Sequence, residues 1–277
     1  MKATTECYPC LGRLVRQAAE LATGDPELRA KAIDAGFKLL DREFSTQKTS
    51  IAVATPLHRL VRAITGNKDP YLQMKEAEVM IANKLRQARK DDFDLENCLV
   101  FAARGNCIDF FKDITAIRED LEKPVEFVLD HTDTLERKLL HSKRILFLAD
   151  NTGEVFFDLP LVKKLETFAP VTYAVKGSPV QNDVTIADLH NIGLAKEFSR
   201  VITTGTDTPG VDMSLASDEF RAEFEGADLV LAKGMGYWET LSELPAQGKV
   251  FYILKAKCQP VADSLGVTLN SYVALLR

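Results

Sequence analysis

The sequence predicts an α/β protein in two parts: a helical domain over residues 1–140, and a domain with a doubly wound, mainly parallel sheet over residues 141–277. Two observations lead to this fold class. Apolar residues recur at helical spacing in the first part, whereas short apolar runs alternate with helical segments in the second. The first of those runs, Ile145–Ala149, is apolar at every position, as expected of a strand that is buried on both faces of a parallel sheet.

The first part of the chain is predicted to be helical because its apolar residues recur at intervals of three and four. Gly24 ends the first helix, and Pro26 occupies the first turn of the second, where its missing N–H is tolerated. Residues 90–92 are charged and are predicted to form a solvated connection. The helical segments are residues 11–24, 26–40, 56–66, 70–89, 95–111 and 124–140.

Five strands are predicted in the second part, and helices or long loops separate them, which is the pattern of a doubly wound sheet. A helix is predicted from Glu154 to about Phe168, and Pro160 inside it predicts a kink or a restart at that point. The five strands are Ile145–Ala149, Val171–Val175, Arg200–Thr203, Leu229–Ala232 and Val250–Leu254.

Residues that can hold a metal ion or a phosphate group follow the predicted strands. Asp150 and Asn151 come directly after the first strand, and Asp183 lies beyond the second. Their oxygen atoms suit a hard divalent cation such as Mg²⁺ or Mn²⁺. Lys233 and Lys255 follow the fourth and fifth strands and offer positive charge to an anion. Because ligands bind at the carboxyl ends of the strands in such sheets, we expect these groups to share one site.

The turns at the strand ends contain glycines, which allow backbone amides to approach an anion. A metal ion held by two acids and one amide, with lysines beside it, suits transfer of a phosphoryl group to water, and Glu154 is a candidate to position that water. The alternative is an ordinary turn, in which Asp150 or Asn151 caps a helix and the lysines are surface charges. The glycines are Gly153, Gly205, Gly210, Gly234 and Gly236.

The helical segment 95–111 is largely apolar but contains Asn106 and Asp109. These residues are three positions apart and therefore share one face of a helix. Polar groups in an apolar surrounding need partners, so the two residues either bond to the second domain or line a ligand cleft.

The composition is that of an ordinary globular protein: 277 residues, 46% hydrophobic, with a net charge of -5. The mild acidity argues against a broad nucleic-acid surface. The sequence has neither a signal-like start nor a run of eighteen apolar residues, which predicts a cytoplasmic protein without a membrane partner. The phosphate loop of nucleoside triphosphatases, the dinucleotide-binding glycine motif and the Gly-x-Ser-x-Gly elbow are absent from the sequence.

Cys7 and Cys10 have the two-residue spacing of a zinc half-site or a dithiol. Zinc requires two further ligands, and the remaining cysteines do not include a second close pair. The alternative is two thiols buried at the start of a helix. The four histidines show no metal-ligand spacing and are predicted to be structural.

Taken in order, these motifs resemble the damage-control metal-dependent phosphatase family, formerly a domain of unknown function numbered 89, and especially its short microbial members with an N-terminal Cys-x-x-Cys. The resemblance runs from residue 7 to 258 and so covers nearly the whole chain. The segments that carry it are Cys7–Cys10, Gly105–Asp109, Asp150–Glu154, Asn182–Thr185, Thr204–Gly210, Lys233–Glu239 and Leu254–Cys258.

The resemblance implies a helical N-terminal domain packed on a Rossmann-like α/β/α sandwich, with a divalent metal (Mn, Co, Ni or Mg) held by Asp150, Asn151 and Asp183. Glu154 and Lys255 complete the implied catalytic set. Broader members of the family have Asn before the aromatic residue of the Lys-Gly motif, where this chain has Gly236. The implied substrate contacts are Asn106, Asp109, Gly153, Lys233, Gly234, Met235, Gly236, Tyr237 and Lys255.

The predicted function is therefore metal-dependent hydrolysis of small phosphorylated metabolites, either sugar phosphates or damaged phosphate esters. One alternative is a methyltransferase that uses S-adenosylmethionine, because an acidic strand end can also hold a ribose. Another is a non-catalytic metabolite-binding protein in which Cys7 and Cys10 hold structural zinc. The sequence does not indicate the oligomeric state.

Overall fold

The computed structural model describes residues 1–87, 94–245 and 247–277. The predicted connection at residues 90–92 and the end of the predicted helix at 70–89 lie outside these ranges. A mainly parallel sheet of seven strands forms the centre of the protein, which confirms the predicted α/β fold class. The strands are β1 (Phe127–Asp130), β2 (Ile145–Leu148), β3 (Val171–Val175), β4 (Val201–Thr203), β5 (Leu229–Lys233), β6 (Val250–Lys255) and β7 (Tyr272–Leu276).

The order of the strands across the sheet is β1-β7-β6-β5-β2-β3-β4. All neighbours are parallel except β6 and β7, which are antiparallel. From β2 the chain moves to one side through β3 and β4, and it then returns to β5 on the other side of β2. The carboxyl ends of β2 and β5 therefore border the topological switch point, where ligands bind in open α/β sheets.

Two strands of this sheet were not among the five predicted, and both lie at or next to an edge. Residues 124–140 were predicted to be one helix, but the structure has β1 there, followed by a helix over Thr132–Leu139. β1 has only four residues, half-buried and exposed in alternation, so its apolar signal is weak. β7 is a short C-terminal strand that pairs with β1 and β6. The division of the chain at residue 140 stays a prediction.

Among the described residues, the chain up to Glu122 forms helices and the loops that join them, and helices alternate with the strands after that. The third helix begins at Ser50, six residues before the predicted start at Pro56, because Thr49 provides the N-terminal cap and Pro56 is accommodated inside the helix. The helices are α1 (Cys7–Ala22), α2 (Pro26–Glu43), α3 (Ser50–Thr65), α4 (Leu72–Gln87), α5 (Leu95–Gly105), α6 (Ile114–Glu122), α7 (Thr132–Leu139), α8 (Val155–Glu166), α9 (Ile186–Asn191), α10 (Asp218–Gly226), α11 (Met235–Leu241) and α12 (Gln259–Leu265).

The sheet has an apolar layer on each face. Residues of α5, α7 and α8 pack with Phe147 and Leu231 on one face. Residues of α10, α11 and α12 pack with Leu148 and Val230 on the other. Alternate residues of each strand thus enter opposite layers, as the pleat of a strand requires. A third core, which includes Leu14 and Leu57, joins α1, α2 and α3.

The helices do not include a candidate for a membrane span. Within residues 1–87, 94–245 and 247–277, none combines the length and the apolar character that crossing a bilayer requires.

Candidate active site

A cavity of about 300 Å³ lies between the N-terminal helices and the carboxyl edge of the sheet. Asp150, Asn151 and Asp183 all line it, so the three predicted metal ligands share one space. Leu14 and Ile51 are among the residues of α1 and α3 that line the cavity from the other side. The cavity therefore lies where the strand order predicts a ligand site.

Asp150 follows β2 and is held from below by Asn106, whose Nδ2 donates to its Oδ2 at 3.0 Å. Burial raises the pKa of Asp150 well above its ordinary value, and the nearby carboxylates of Glu154 and Asp183 raise it further. Opposing cations, Lys257 and Lys176, only partly offset this effect. A bound cation would offset this shift, so the surroundings of Asp150 favour an added positive charge.

Asn151 is oriented so that its amide nitrogen points into the protein. Nδ2 donates to Oε1 of Glu154 at 2.7 Å and to the carbonyl oxygen of Ile108 at 3.4 Å. These bonds leave the amide oxygen for a ligand, which is the atom that a hard cation requires. An isolated antiparallel bridge also joins Asn151 to Asp183, which brings these two predicted ligands together.

Asp183 is buried and carries an unsatisfied atom. Its Oδ2 makes no hydrogen bond, although the ammonium group of Lys176 lies 3.3 Å away. Burial raises the pKa of Asp183, and Lys176 opposes the shift. Buried oxygen atoms without a hydrogen bond are uncommon, and a cation bound beside Asp183 would satisfy this one.

Glu154 lies beneath the cavity and is fully buried. Its Oε1 accepts hydrogen bonds from Asn106 at 3.0 Å and from Asn151, and its Oε2 accepts one from Lys233 at 2.7 Å. It does not line the cavity. Glu154 therefore orients three hydrogen-bond donors, the side chains of Asn106, Asn151 and Lys233. Its role in positioning water stays a prediction, and its place beneath the cavity does not support that role.

Lys233 is the last residue of β5, and its ammonium group is buried between Glu154 and Asp158, at 2.7 and 2.6 Å. Burial alone would lower the pKa of Lys233, but the two carboxylates outweigh burial and raise it. Burial raises the pKa of Asp158 to about 6, although Lys233 opposes the shift. Lys233 therefore neutralises acids under the sheet edge, and the predicted contact with phosphate is without structural support.

Lys255 is likewise placed outside the cavity. Its Nζ lies 3.7 Å from Oδ2 of Asp120, and its backbone N–H donates to Oδ1 of Asn106 at 2.9 Å. Lys257, two residues further on, lines the cavity instead and donates to the carbonyl oxygen of Ile108 at 2.6 Å. Lys257 is the lysine that follows β6 and is available to an anion in the cavity.

In the predicted glycine turn after β5, some residues line the cavity and others pack behind its lining. Met235 and Gly236 line the cavity. Gly234 has a φ of 81° and lies against Asp150, and a methyl group on its Cα would stand 1.8 Å from Oδ2 of that residue. Tyr237 is fully buried and accepts a hydrogen bond from Lys176 at 3.1 Å.

Three more of the predicted site residues have clear positions. Asn106 is fully buried and joins Asp150, Glu154 and the backbone of Lys255, so it is a support rather than a cavity wall. Asp109 lines the cavity and accepts a hydrogen bond from the backbone N–H of Phe111 at 2.9 Å. Gly153 is buried against Ile108 and Glu78, and a Cβ there would lie 3.0 and 3.1 Å from their side chains.

The cysteine pair lies at the same cavity. Cys7 and Cys10 line it at the start of α1, and Cys258 lines it from the sheet side. Within residues 1–87, 94–245 and 247–277, no group of three or more His, Cys, Asp or Glu side chains has the spacing of a metal site. The predicted set of Asp150, Asn151 and Asp183 contains only two such side chains, because its third member is an amide.

Sequence reasoning missed two residues, Lys176 and Glu78, that support this site. Lys176 follows β3, is fully buried and faces Asp183. Its position at a strand end was a usable signal, like that of Lys233. Glu78 on α4 accepts two hydrogen bonds from Nδ2 of Asn182, at 2.9 and 3.1 Å. Burial raises the pKa of Glu78 to about 8. The charged pattern of α4 gave no sign of this contact.

The residues present fit a divalent cation. Two carboxylates and one amide oxygen border the same cavity, one carboxylate oxygen makes no hydrogen bond, and the backbone at Gly234 leaves no room for a side chain beside Asp150. Oxygen donors of this kind favour Mg²⁺ and Mn²⁺, and an amide oxygen does not exclude Co²⁺ or Ni²⁺. With Lys257 in the same cavity, the arrangement can hold a phosphorylated ligand next to the metal position.

Comparisons with known proteins identify the family of this chain. The model of the damage-control phosphatase ARMT1-like domain matches residues 3–273. An uncharacterized protein of Methanocaldococcus jannaschii is 35% identical and covers 100% of this chain and 96% of its own. A damage-control phosphatase of Pyrococcus horikoshii is 34% identical, over 99% of this chain and 98% of its own.

The fold is also similar to that of a solved structure. The crystal structure of a DUF89 family protein from Pyrococcus horikoshii superposes with a TM-score of 0.90, at 32% sequence identity, and covers 100% of this chain and 99% of that one. The similarity thus extends over both the N-terminal helices and the sheet.

Proposed function

The chain belongs to the damage-control phosphatase ARMT1-like domain family, which supports a phosphatase function, and on that premise we propose that it hydrolyses small phosphorylated metabolites in a metal-dependent reaction. Mn²⁺, Co²⁺, Ni²⁺ and Mg²⁺ are the candidate metals. The observation that carries the proposal is the convergence of Asp150, Asn151 and Asp183 on one cavity that also contains Lys257.

The charge around the cavity supports a bound cation. Glu78, Glu154, Asp158 and Asp183 are carboxyl groups buried at or beneath this edge of the sheet, and Asp150 is partly buried there. Within the described ranges, the buried ammonium groups that form ion pairs with members of this set are those of Lys176 and Lys233. Burying an excess of negative charge is costly, and a divalent cation at the cavity end of the set reduces that cost.

Asp150, Asn151 and Asp183 would hold the metal, each in a different way. Asn106 holds Asp150, Glu154 turns the Asn151 oxygen outward, and Lys176 lies beside Asp183. When bound, a divalent cation would neutralise the negative charge that develops on the phosphoryl oxygens.

The substrate phosphate is proposed to lie between these ligands and the residues after β5 and β6. Lys257 would offer a positive charge to the phosphoryl oxygens, and the backbone at Met235 and Gly236 would approach them without obstruction by a side chain at Gly236. Lys233 and Glu154 lie behind the cavity lining, where they form an ion pair, and Glu154 orients the side chain of Asn151. The division predicts that Lys257 governs substrate binding and that Lys233 governs the stability of the site.

The experiment that tests this function is phosphate release from an aryl phosphate and a panel of sugar phosphates, after chelation and again with each of the four metals restored. We expect turnover only with metal, and loss of at least about a hundredfold in Asp150→Asn, since this change removes a charged ligand. Asp133→Asn, on the exposed face of α7, is the matched control and should retain full activity.

Metal binding by calorimetry gives a second readout that does not depend on choosing the right substrate. The wild-type protein should bind Mn²⁺ and the Asp150→Asn variant should bind it at least about tenfold more weakly. Equal affinity in both proteins would remove Asp150 from the metal site. Silence in every phosphatase assay, together with binding of S-adenosylmethionine, would favour the methyltransferase alternative.

A further inference from the structure

The cavity has two unlike sides. The side formed by the sheet edge carries the carboxylates, the amide and Lys257. The opposite side, which we call the apolar wall, belongs to α1, to α3 and to the segment after α5. Its apolar residues are Leu11, Leu14, Ile51, Ala54, Phe110 and Phe111, and the same elements also place Glu6, Cys7, Cys10, Arg13, Ser50 and Asp109 in the cavity lining beside them.

The apolar wall is a packed surface with a defined shape. Leu11, Leu14 and Ala54 belong to the core that joins the first three helices, so their positions are fixed from behind. The rings of Phe110 and Phe111 lie 4.5 Å apart between centroids. The guanidinium group of Arg13 covers the Phe111 ring at 3.7 Å, which restricts that ring further.

Two polar side chains near the apolar wall are engaged with each other. Oγ of Ser50, at the start of α3, donates to Oε1 of Glu239 at 2.5 Å. Both residues line the cavity, but this bond uses the hydroxyl proton of Ser50 within the protein. The wall itself consists of aliphatic and aromatic side chains. A ligand hydroxyl placed against them would lose hydrogen bonds to water without gaining a partner.

We propose that the apolar wall is a subsite for an apolar organic group, alkyl or aryl, on the alcohol side of the phosphate ester. This inference rests on the proposed function, because it places the phosphate at the sheet edge and the alcohol portion on the opposite side. A volume of about 300 Å³ lies at the lower end of the range for small-molecule sites, so the ligand is compact. The preferred substrates are amphipathic phosphomonoesters rather than bare sugar phosphates.

The test compares n-hexyl phosphate with glucose 6-phosphate in the metal-loaded enzyme. Both are esters of a primary alcohol with six carbons, so the leaving groups are matched and the hydroxyl groups are the difference. We expect kcat/KM to be at least about tenfold higher for hexyl phosphate, the discrimination that apolar pockets achieve for a few methylene groups.

Variants on α3 assign the preference to the apolar wall. Ile51→Thr should lower kcat/KM for hexyl phosphate about tenfold, mainly through KM, and leave glycerol 3-phosphate within about twofold. Ile64→Thr is the matched control, because Ile64 lies on the same helix but packs into the core with Val61 instead of lining the cavity. This control should leave both substrates unchanged.

Calorimetry with heptylphosphonate, in which a methylene group replaces the ester oxygen, measures the same preference without turnover. Binding to the metal-loaded protein should weaken about tenfold in Ile51→Thr and stay unchanged in Ile64→Thr. A higher kcat/KM for glucose 6-phosphate than for hexyl phosphate would overturn the subsite while leaving the phosphatase function intact. Equal losses of kcat/KM for hexyl phosphate and glycerol 3-phosphate in Ile51→Thr would do the same. Absence of turnover with every ester and metal would instead contradict the proposed function itself.

Discussion

Gly234 lies directly against Asp150: a Cβ at Gly234 would stand 1.8 Å from Oδ2 and 2.5 Å from Cγ of that carboxyl group. The φ of 81° at Gly234 also lies in the region that disfavours residues with a side chain. Because the backbone of the turn after β5 packs against the acid that follows β2, the two strand ends at the switch point fix each other. The position of a proposed metal ligand therefore depends on the absence of a side chain at Gly234, in the turn after the neighbouring strand.

Gly234→Ala should lower the activity at least about a hundredfold, because the added methyl group displaces Asp150 by a distance that reactive geometry does not tolerate. Phosphate release with saturating metal measures this effect. Gly66→Ala is the control, since Gly66 has a φ of 73° but nothing within 4 Å of its added Cβ. Both variants should lose about 1 kcal/mol of unfolding free energy from the backbone alone. Full activity in Gly234→Ala would refute the proposed role of this contact.

Lys233→Met should destabilise the protein by about 3 to 5 kcal/mol, because it leaves the buried carboxylates of Glu154 and Asp158 without their cation. Urea unfolding at neutral pH measures the loss. Lys196→Met, at an exposed position, should change the unfolding free energy by less than about 0.5 kcal/mol.

A double variant separates this explanation from simple misfolding. Adding Asp158→Asn to Lys233→Met removes one of the two unpaired charges and should restore part of the lost stability. If Lys233 instead bound phosphate, Lys233→Met would raise KM with little loss of stability, and Asp158→Asn would not compensate.

The five strands from β2 to β6 were predictable because each is a short run of mainly apolar residues. Each observed strand from β2 to β6 begins and ends within one residue of its prediction. β1 and β7 were not predictable in this way. β1 has exposed residues at alternate positions, and its pairing with β7 joins segments that are distant in sequence.

The acids of the site were predictable for a related reason, since parallel strands bring their carboxyl ends to one edge. Asp150, Asn151 and Asp183 accordingly line one cavity. The lysines were harder to assign. Whether the ammonium group of a lysine at a strand end faces the cavity or the protein interior depends on its partners. The ion pair with Asp158 on α8 holds the ammonium group of Lys233 in the interior. That contact joins two elements and leaves no pattern in either segment alone.

Glu78→Leu should weaken Mn²⁺ binding about tenfold to a hundredfold, which is the usual effect of losing a group that orients a ligand. Glu78 accepts both hydrogen bonds from Nδ2 of Asn182, the residue before Asp183, and Asn182 also receives a hydrogen bond from the Thr152 backbone at 2.8 Å. Without Glu78 the buried Asn182 amide loses its acceptor, and the segment that carries Asp183 shifts. Calorimetric titration with Mn²⁺ measures the change.

Two further variants show whether Glu78 acts as a positioning residue. Glu78→Gln keeps an acceptor of the same length, so it should recover most of the Mn²⁺ affinity. Glu76→Leu, on the exposed face of the same helix, should have no effect on that affinity. If Glu78→Gln and Glu78→Leu weakened Mn²⁺ binding equally, the hydrogen bonds to Asn182 would not be the cause.

His58 should make the stability depend on pH, because it is buried in α3 and its Nε2 has no hydrogen-bond partner in the described chain. Burial and the charge of Arg62 together lower the pKa of His58 to about 3, although Asp207 opposes the shift. The ring of Tyr71, 6.0 Å away between centroids, adds an uncharged neighbour. In the unfolded chain the imidazole titrates near its ordinary pKa of about 6.5.

The unfolded state therefore binds a proton that the folded state excludes once the pH falls below about 6.5, and the stabilisation that is present above that pH is lost as the pH falls toward 3. Between pH 7 and pH 5 the contribution of His58 should fall by about 2 kcal/mol. Urea unfolding measures the free energy of unfolding of the wild type and of His58→Leu at both pH values. Between pH 7 and pH 5 this free energy should fall by about 2 kcal/mol less in His58→Leu than in the wild type. His190→Gln, at an exposed position, should behave like the wild type. If the losses in the wild type and in His58→Leu were equal, His58 would have to be protonated or solvated in the folded protein.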